Sequence, residues 1–118
     1  MPASPAAATD APRALLVFTS LPDAASAETL ASALIGWRLA ACVNILAPCT
    51  SIYRWQGATE TATEVPLLIK TTPAHYAALE AAIRAHHPYE LPEIVAVPVT
   101  QGLPGYLDWI VAETAGDD

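Results

Sequence analysis

The stretch Leu39-Ala40-Ala41-Cys42-Val43-Asn44-Ile45-Leu46-Ala47-Pro48-Cys49-Thr50-Ser51-Ile52-Tyr53-Arg54-Trp55 decides the fold. It reads as extended chain, rich in β-branched and aromatic residues, with a kink at Ala47-Pro48. Gln56-Gly57-Ala58 supplies a turn, and Glu60 to Thr71 returns as a second strand in which Val65, Leu67 and Ile69 share a face. Pro66 has no amide hydrogen, so its nitrogen must lie on an edge or at a bulge. The 17 residues from Leu39 to Trp55 would span roughly 56 Å if fully extended. A globule of this chain length has a radius of gyration of only about 13–14 Å. The hairpin must therefore bend, protrude, or do both. A protruding arm carrying Ile52, Tyr53 and Trp55 is an apolar edge of a kind that soluble monomers avoid, so the length argument alone predicts oligomerisation.

On the N-terminal side, Ala14 to Thr19 is a short apolar run closed by Pro22-Asp23, which fits a buried strand. Asp23 is placed to cap a following helix, in which Ala27, Leu30, Ala31 and Leu34 form one stripe, ending near Trp37-Arg38. On the C-terminal side, Thr72-Pro73 predicts a helix start, with a hydroxyl cap and proline at the first position. Tyr76, Leu79 and Ile83 are its inner face, and Pro88 limits its end. Glu93 to Val99 reads as a last strand and Leu103 to Glu113 as a terminal helix. The order is βαββαβ plus a C-terminal helix. Two right-handed crossovers joined by a hairpin predict an α+β, ferredoxin-like antiparallel sheet with both helices on one face.

The 118 residues carry a formal charge of −7 and are 53% hydrophobic, with 25 alanines among them. That is enough for one modest core, predicting a single domain over residues 13–115 behind a disordered Ala/Pro-rich tail over residues 1–12. Only 14% of residues are charged and mean hydropathy is +0.35, which excludes wholesale disorder. One lysine and four arginines give no cationic patch for a phosphate backbone, so no nucleic-acid partner is expected. No apolar run reaches the ~18 residues of a membrane span, and the tail lacks the features of a signal peptide. A cytoplasmic location is the expectation.

Few residues carry obvious chemistry. Cys42 and Cys49 are too few for a disulfide scaffold and lack the spacing of a closed zinc site. Cys42 reads as a small buried hydrophobe, and Cys49, beside Pro48, as the more exposed thiol. There is no phosphate-cradling glycine loop and no nucleophile elbow. His86-His87 at a helix end is either a pair of metal ligands or a pair of cations complementing the helix dipole.

Several blocks in order carry a wider resemblance. Arg38-Leu39-Ala40-Ala41-Cys42-Val43-Asn44 is followed by Thr50-Ser51-Ile52-Tyr53-Arg54-Trp55-Gln56-Gly57, Glu64-Val65 and Ile69-Lys70-Thr71-Thr72. After these come His86-His87-Pro88-Tyr89-Glu90-Leu91-Pro92-Glu93-Ile94 and Tyr106-Leu107-Asp108-Trp109. Together they resemble the CutA family of divalent-cation tolerance proteins, over roughly Ala14 to Ala112. The resemblance implies a ferredoxin-like subunit in a tight homotrimer, built much like the PII signalling trimers, with a role in copper tolerance and no catalytic activity. It implies metal ligation by His86 and His87, and in some bacterial members by a first-strand cysteine, whose position is Thr19 here. Ala58 stands where a lysine is common.

From these residues follow the remaining expectations. Val43, Ile45, Ile52, Tyr53 and Trp55 form the trimer interface. Trp55, Lys70, Tyr89 and Glu93 converge in a ligand cleft at a subunit boundary. His86 and His87 are at least partly exposed, and copper or another divalent cation binds weakly or is absent. The alternative is a PII-like signalling scaffold, binding a small anion in those clefts and a partner protein at its surface.

Overall fold

The computed structural model describes residues 11–116. In chain order they form β1 (Ala14–Leu21), α1 (Ala24–Gly36), β2 (Cys42–Ile45), β3 (Cys49–Trp55) and β4 (Ala58–Thr71). A 3-10 turn (Pro73–His75) then leads into α2 (Tyr76–His86), β5 (Val95–Val99) and α3 (Pro104–Thr114). The tail expected over residues 1–12 lies, as far as residue 10, outside the described residues. The sheet order is β2-β4-β1-β5, with β3 pairing farther along β4, and every pairing is antiparallel. This is the ferredoxin-like α+β arrangement.

Alternation along the strands fixes which face is covered. Val65, Leu67 and Ile69 of β4 and Val17 and Leu21 of β1 are buried, and they pack with Ala27, Leu30 and Leu34 of α1 and Leu79 and Ile83 of α2. In the β1–β4 register, Val17 lies opposite Ile69, Thr19 opposite Leu67 and Leu21 opposite Val65. A one-residue slip would turn this whole set to the other face. Asp23 caps α1 as its position implies: its Oδ1 accepts from the Ser26 amide at 2.7 Å, and this bond holds its carboxyl below the usual carboxylate range.

The hairpin bends and protrudes. The extended run divides at Leu46–Pro48, so β2 pairs with Val43 opposite Ile69, while β3 pairs beyond it with Cys49 opposite Glu64 and Trp55 opposite Ala58. The radius of gyration is 16.3 Å and the long axis 53 Å, well above the value for a compact globule. The turn is two residues, not three. Gln56 and Gly57 have φ of 51° and 83°, the type I′ pattern that matches strand twist, and only glycine adopts such values without strain. Pro66 sits in an interior strand, yet its constraint is met. Its carbonyl accepts from Leu46 at 2.9 Å, so its donorless nitrogen faces the same side, at the break between β2 and β3.

Other boundaries differ from those read in the sequence. β1 runs on to Leu21 because Val65 and Pro66 of β4 still offer pairing partners. Glu93 precedes β5, which begins at Val95 opposite Phe18. The Thr72 hydroxyl bonds the His75 ring nitrogen at 2.6 Å and not a backbone amide, since the first turn is 3-10. Val43, expected on the exposed hairpin, packs against the chain's own core because it shares the face of Ile69.

Thr19 is only 1% exposed, and its hydroxyl makes no hydrogen bond among the described residues. A buried unpaired hydroxyl costs about 1–3 kcal/mol. Thr19→Val keeps the shape and removes that cost, so its denaturation midpoint is expected to rise by an amount equivalent to about 1–2 kcal/mol. An unchanged or lower midpoint in chemical unfolding would contradict the hydroxyl's isolation.

Candidate functional site

The end of α2 places two adjacent imidazoles in different surroundings. His86 is exposed; its Nδ1 bonds the Ala82 carbonyl at 2.8 Å, and its ring lies on Trp37 with centroids 5.1 Å apart. A carbonyl accepts only, so Nδ1 carries the proton and Nε2 remains the outward lone pair. His87 is instead only 8% exposed. Its Nε2 donates to the Ser20 carbonyl at 2.6 Å, and its Nδ1 accepts from the Tyr89 amide at 3.1 Å. The expectation of two partly exposed histidines is thus corrected for His87. Its helix ends one residue earlier, and its extended backbone turns the ring inward, onto β1.

Tyr89 follows against that ring, with centroids 4.7 Å apart. Burial, then donation of a hydrogen bond to the Glu64 carboxylate and its negative charge, push the Tyr89 phenol up to about 12, with Tyr53 and Asp23 adding to the same field. Tyr89 therefore marks a junction where the hairpin, the start of α1 and the loop after α2 meet.

The other residues expected in the cleft lie elsewhere on the chain. Lys70 lies opposite Leu16 and Cys42 in the sheet, and its Nζ donates to the Tyr106 hydroxyl at 3.3 Å while lying over that ring. Lys70 and Glu64 are six positions apart on β4, roughly 20 Å at 3.4 Å per residue. Trp55 pairs with Ala58, a further six positions along. Glu93 is exposed, between α2 and β5. Within one chain Trp55, Tyr89 beside Glu64, and Lys70 stand at successive levels of β4, so these three side chains are not brought together.

Tyr106 is the partner missed in the sequence. It stacks on Trp109 with ring centroids 5.5 Å apart and interplanar angle 26°, forming an aromatic platform beside Lys70. The signal was the i, i+3 spacing of two aromatics in the first turns of α3. Cys42 is half-buried and Cys49 exposed, and both are free thiols. Among the described residues, no three His, Cys, Asp or Glu side chains stand close enough to hold a metal ion. Thr19 is enclosed by the core and is no surface ligand.

The raised Tyr89 phenol has a direct readout. A phenol whose folded pKa lies above the usual ~10 favours the folded state at lower pH and loses that contribution as pH rises toward the folded value. Absorbance titration of the four tyrosines is expected to show one phenol ionising near pH 12, absent in Tyr89→Phe. Stability attributable to this group is lost between about pH 10 and that value. Ionisation of all phenols near their ordinary value would contradict the burial of Tyr89 and its Glu64 contact together.

Residues 15–113 match the family profile described as "CutA1 divalent ion tolerance protein". A divalent-cation tolerance protein CutA from Citrobacter koseri is 42% identical over 101 residues, covering 86% of this chain and 88% of the relative. The crystal structure of CutA from Xylella fastidiosa is 48% identical, with a TM-score of 0.85 over 87% of this chain and 99% of that one. A structure described as the periplasmic divalent cation tolerance protein CutA from Archaeoglobus fulgidus is 35% identical, with a TM-score of 0.84 over 86% and 99% of the two chains. By the family profile over residues 15–113 and these relatives over most of its length, the chain belongs to the CutA family of divalent-cation tolerance proteins.

Proposed function

We propose that this chain works as a homotrimer in tolerance to divalent cations, binding copper weakly through exposed imidazole, without catalysing a reaction. The observation that carries the proposal is the uncovered apolar surface. Ile45, Ile52, Tyr53 and Trp55 are exposed along the hairpin, Ile52 at 71%, and Val95 and Val97 are exposed on β5. A soluble chain is poorly served by a patch of this kind unless copies of itself cover it. Val43 contributes less, being already packed against the core.

His86 is the first ligand in this reading, through Nε2. His87 could join only by giving up the Ser20 carbonyl and the Tyr89 amide. Copper(II) favours imidazole nitrogen, and a site completed by water or by a carboxylate such as Glu90 is open and weak. The cleft of Trp55, Lys70, Tyr89 and Glu93 belongs to the same proposal: the separation of the first three along β4 leaves a neighbouring chain to close it. No helix among the described residues is long and apolar enough to cross a membrane. A reducing cytoplasm suits the two free thiols.

Two measurements test this. Light scattering at low micromolar concentration is expected to give a mass near three chains of 12.4 kDa each. Trp55→Ala should weaken that assembly by about 2–4 kcal/mol; a stable wild-type monomer would remove the argument. Calorimetric copper titration is expected to show binding that weakens about tenfold or more in His86→Ala. Equal copper binding by wild type and His86→Ala would place the ligand elsewhere.

A further inference from the structure

Arg38, just beyond α1, carries a backbone that arginine seldom adopts. Its φ is 59°, in the left-handed region, where a side chain beyond Cβ costs free energy and glycine is the usual occupant. The turn itself is well made. The amides of Trp37, Arg38 and Leu39 close onto the carbonyls of Ala33, Ile35 and Leu34 at 2.9, 3.0 and 3.0 Å. The geometry would be met by glycine or asparagine, so the helix end alone gives no reason for a guanidinium. A cation there also complements the negative end of the α1 dipole. That role, however, leaves the five donors of the guanidinium without partners: Arg38 is exposed, and among the described residues its side chain makes no hydrogen bond or ion pair. By contrast, Arg13 pairs with Asp108 and Lys70 bonds Tyr106.

Two concavities flank this side chain. One, of about 280 Å³, is lined by Gly36, Trp37, Arg38, His75, Thr114 and Gly116. The other, of about 230 Å³, is lined by Ile35, Gly36, Arg38, Ala40, Ala41 and Glu113. The Glu113 carboxylate disfavours an anion in the second. Among the described residues the first has no acidic wall; it offers the guanidinium, the His75 imidazole and the face of Trp37. The Thr114 hydroxyl is already committed to the Ile110 and Val111 carbonyls. Nor would His75 be a loose group, since its Nδ1 is fixed by the Thr72 hydroxyl. The volume is at the low end for ligand sites, which suits a small hydrated ion better than a metabolite-sized molecule.

We propose that the concavity between Trp37, Arg38 and His75 binds a small oxyanion of the phosphate type, gripped by the Arg38 fork. The left-handed backbone at Arg38 holds the guanidinium at the mouth of this concavity, and the strain is kept for binding. The site shares the Trp37 indole with the His86 reading, since the His86 ring lies on it, and is separate from the hairpin surface.

The test uses the full chain, inorganic phosphate at low ionic strength, and two variants whose backbones accept the left-handed region, Arg38→Gly and Arg38→Asn. Tryptophan fluorescence and calorimetry are expected to show saturable phosphate binding by wild type, weakened about tenfold or more in both variants. Thermal midpoints without phosphate should be unchanged or higher in the variants, which separates loss of binding from loss of fold. Chloride at matched ionic strength should give no saturable response. Equal phosphate affinity in Arg38→Gly, a chloride response matching that of phosphate, or no saturation of wild type at about tens of millimolar would each overturn the proposal.

Discussion

Three of the other four strands are registered directly against β4. One strand of 14 residues pairs with β1 over seven positions, with β2 over four and with β3 over seven. Its C-terminal half alternates between a buried face and a half-buried one, while its N-terminal half is largely exposed. A single strand thus passes from a packed core into a free-standing arm without changing its pleat. Because the side-chain period is two, the same register that sends Leu67 and Ile69 into the core also decides which arm residues lie on each side. The core and the arm are not independently adjustable.

The two faces of the sheet divide the labour. Both crossover helices cover one face through a cluster reaching from Val17 to Ile83. On the other, α3 contributes Tyr106 against Lys70, and Arg13 ties the start of β1 to Asp108. That ion pair is solvent-exposed, so it adds little stability by itself. The His-Pro-Tyr loop is held differently, by bonds from a buried ring to backbone groups and by Tyr89 against the base of the arm. A loop fixed through its own imidazole is a poor place for a mobile ligand, which is why the two neighbouring histidines have such different prospects.

Much of this could be read from residue patterns. The excess length of Leu39–Trp55, the break at Pro48 and the unusual place of Pro66 all follow from backbone geometry, which is local and general. Helix stripes in α1 and α2 were legible for the same reason. What stayed hidden depended on partners far away in sequence. His87 is buried because of a carbonyl on Ser20, 67 positions earlier. Lys70 finds Tyr106 36 positions later. Thr72 chose a side chain over a backbone amide because the helix opens with a tighter turn. Periodicity places a residue on a face; it does not name the atom across from it.

The type I′ turn at Gln56-Gly57 also has a temporal meaning. Pairs such as Trp55 with Ala58 need almost no loop closure, and hairpins of this kind form in roughly 1–10 μs. The pairing of Ala14 with Val99 must instead bring together the two ends of nearly the whole domain, at far greater entropic cost. The arm is therefore the strand pairing of lowest contact order, and β5 completes the sheet only when most of the chain has been made. During synthesis, the strand that closes this sheet leaves the ribosome after both strands of the arm, whose register needs only each other.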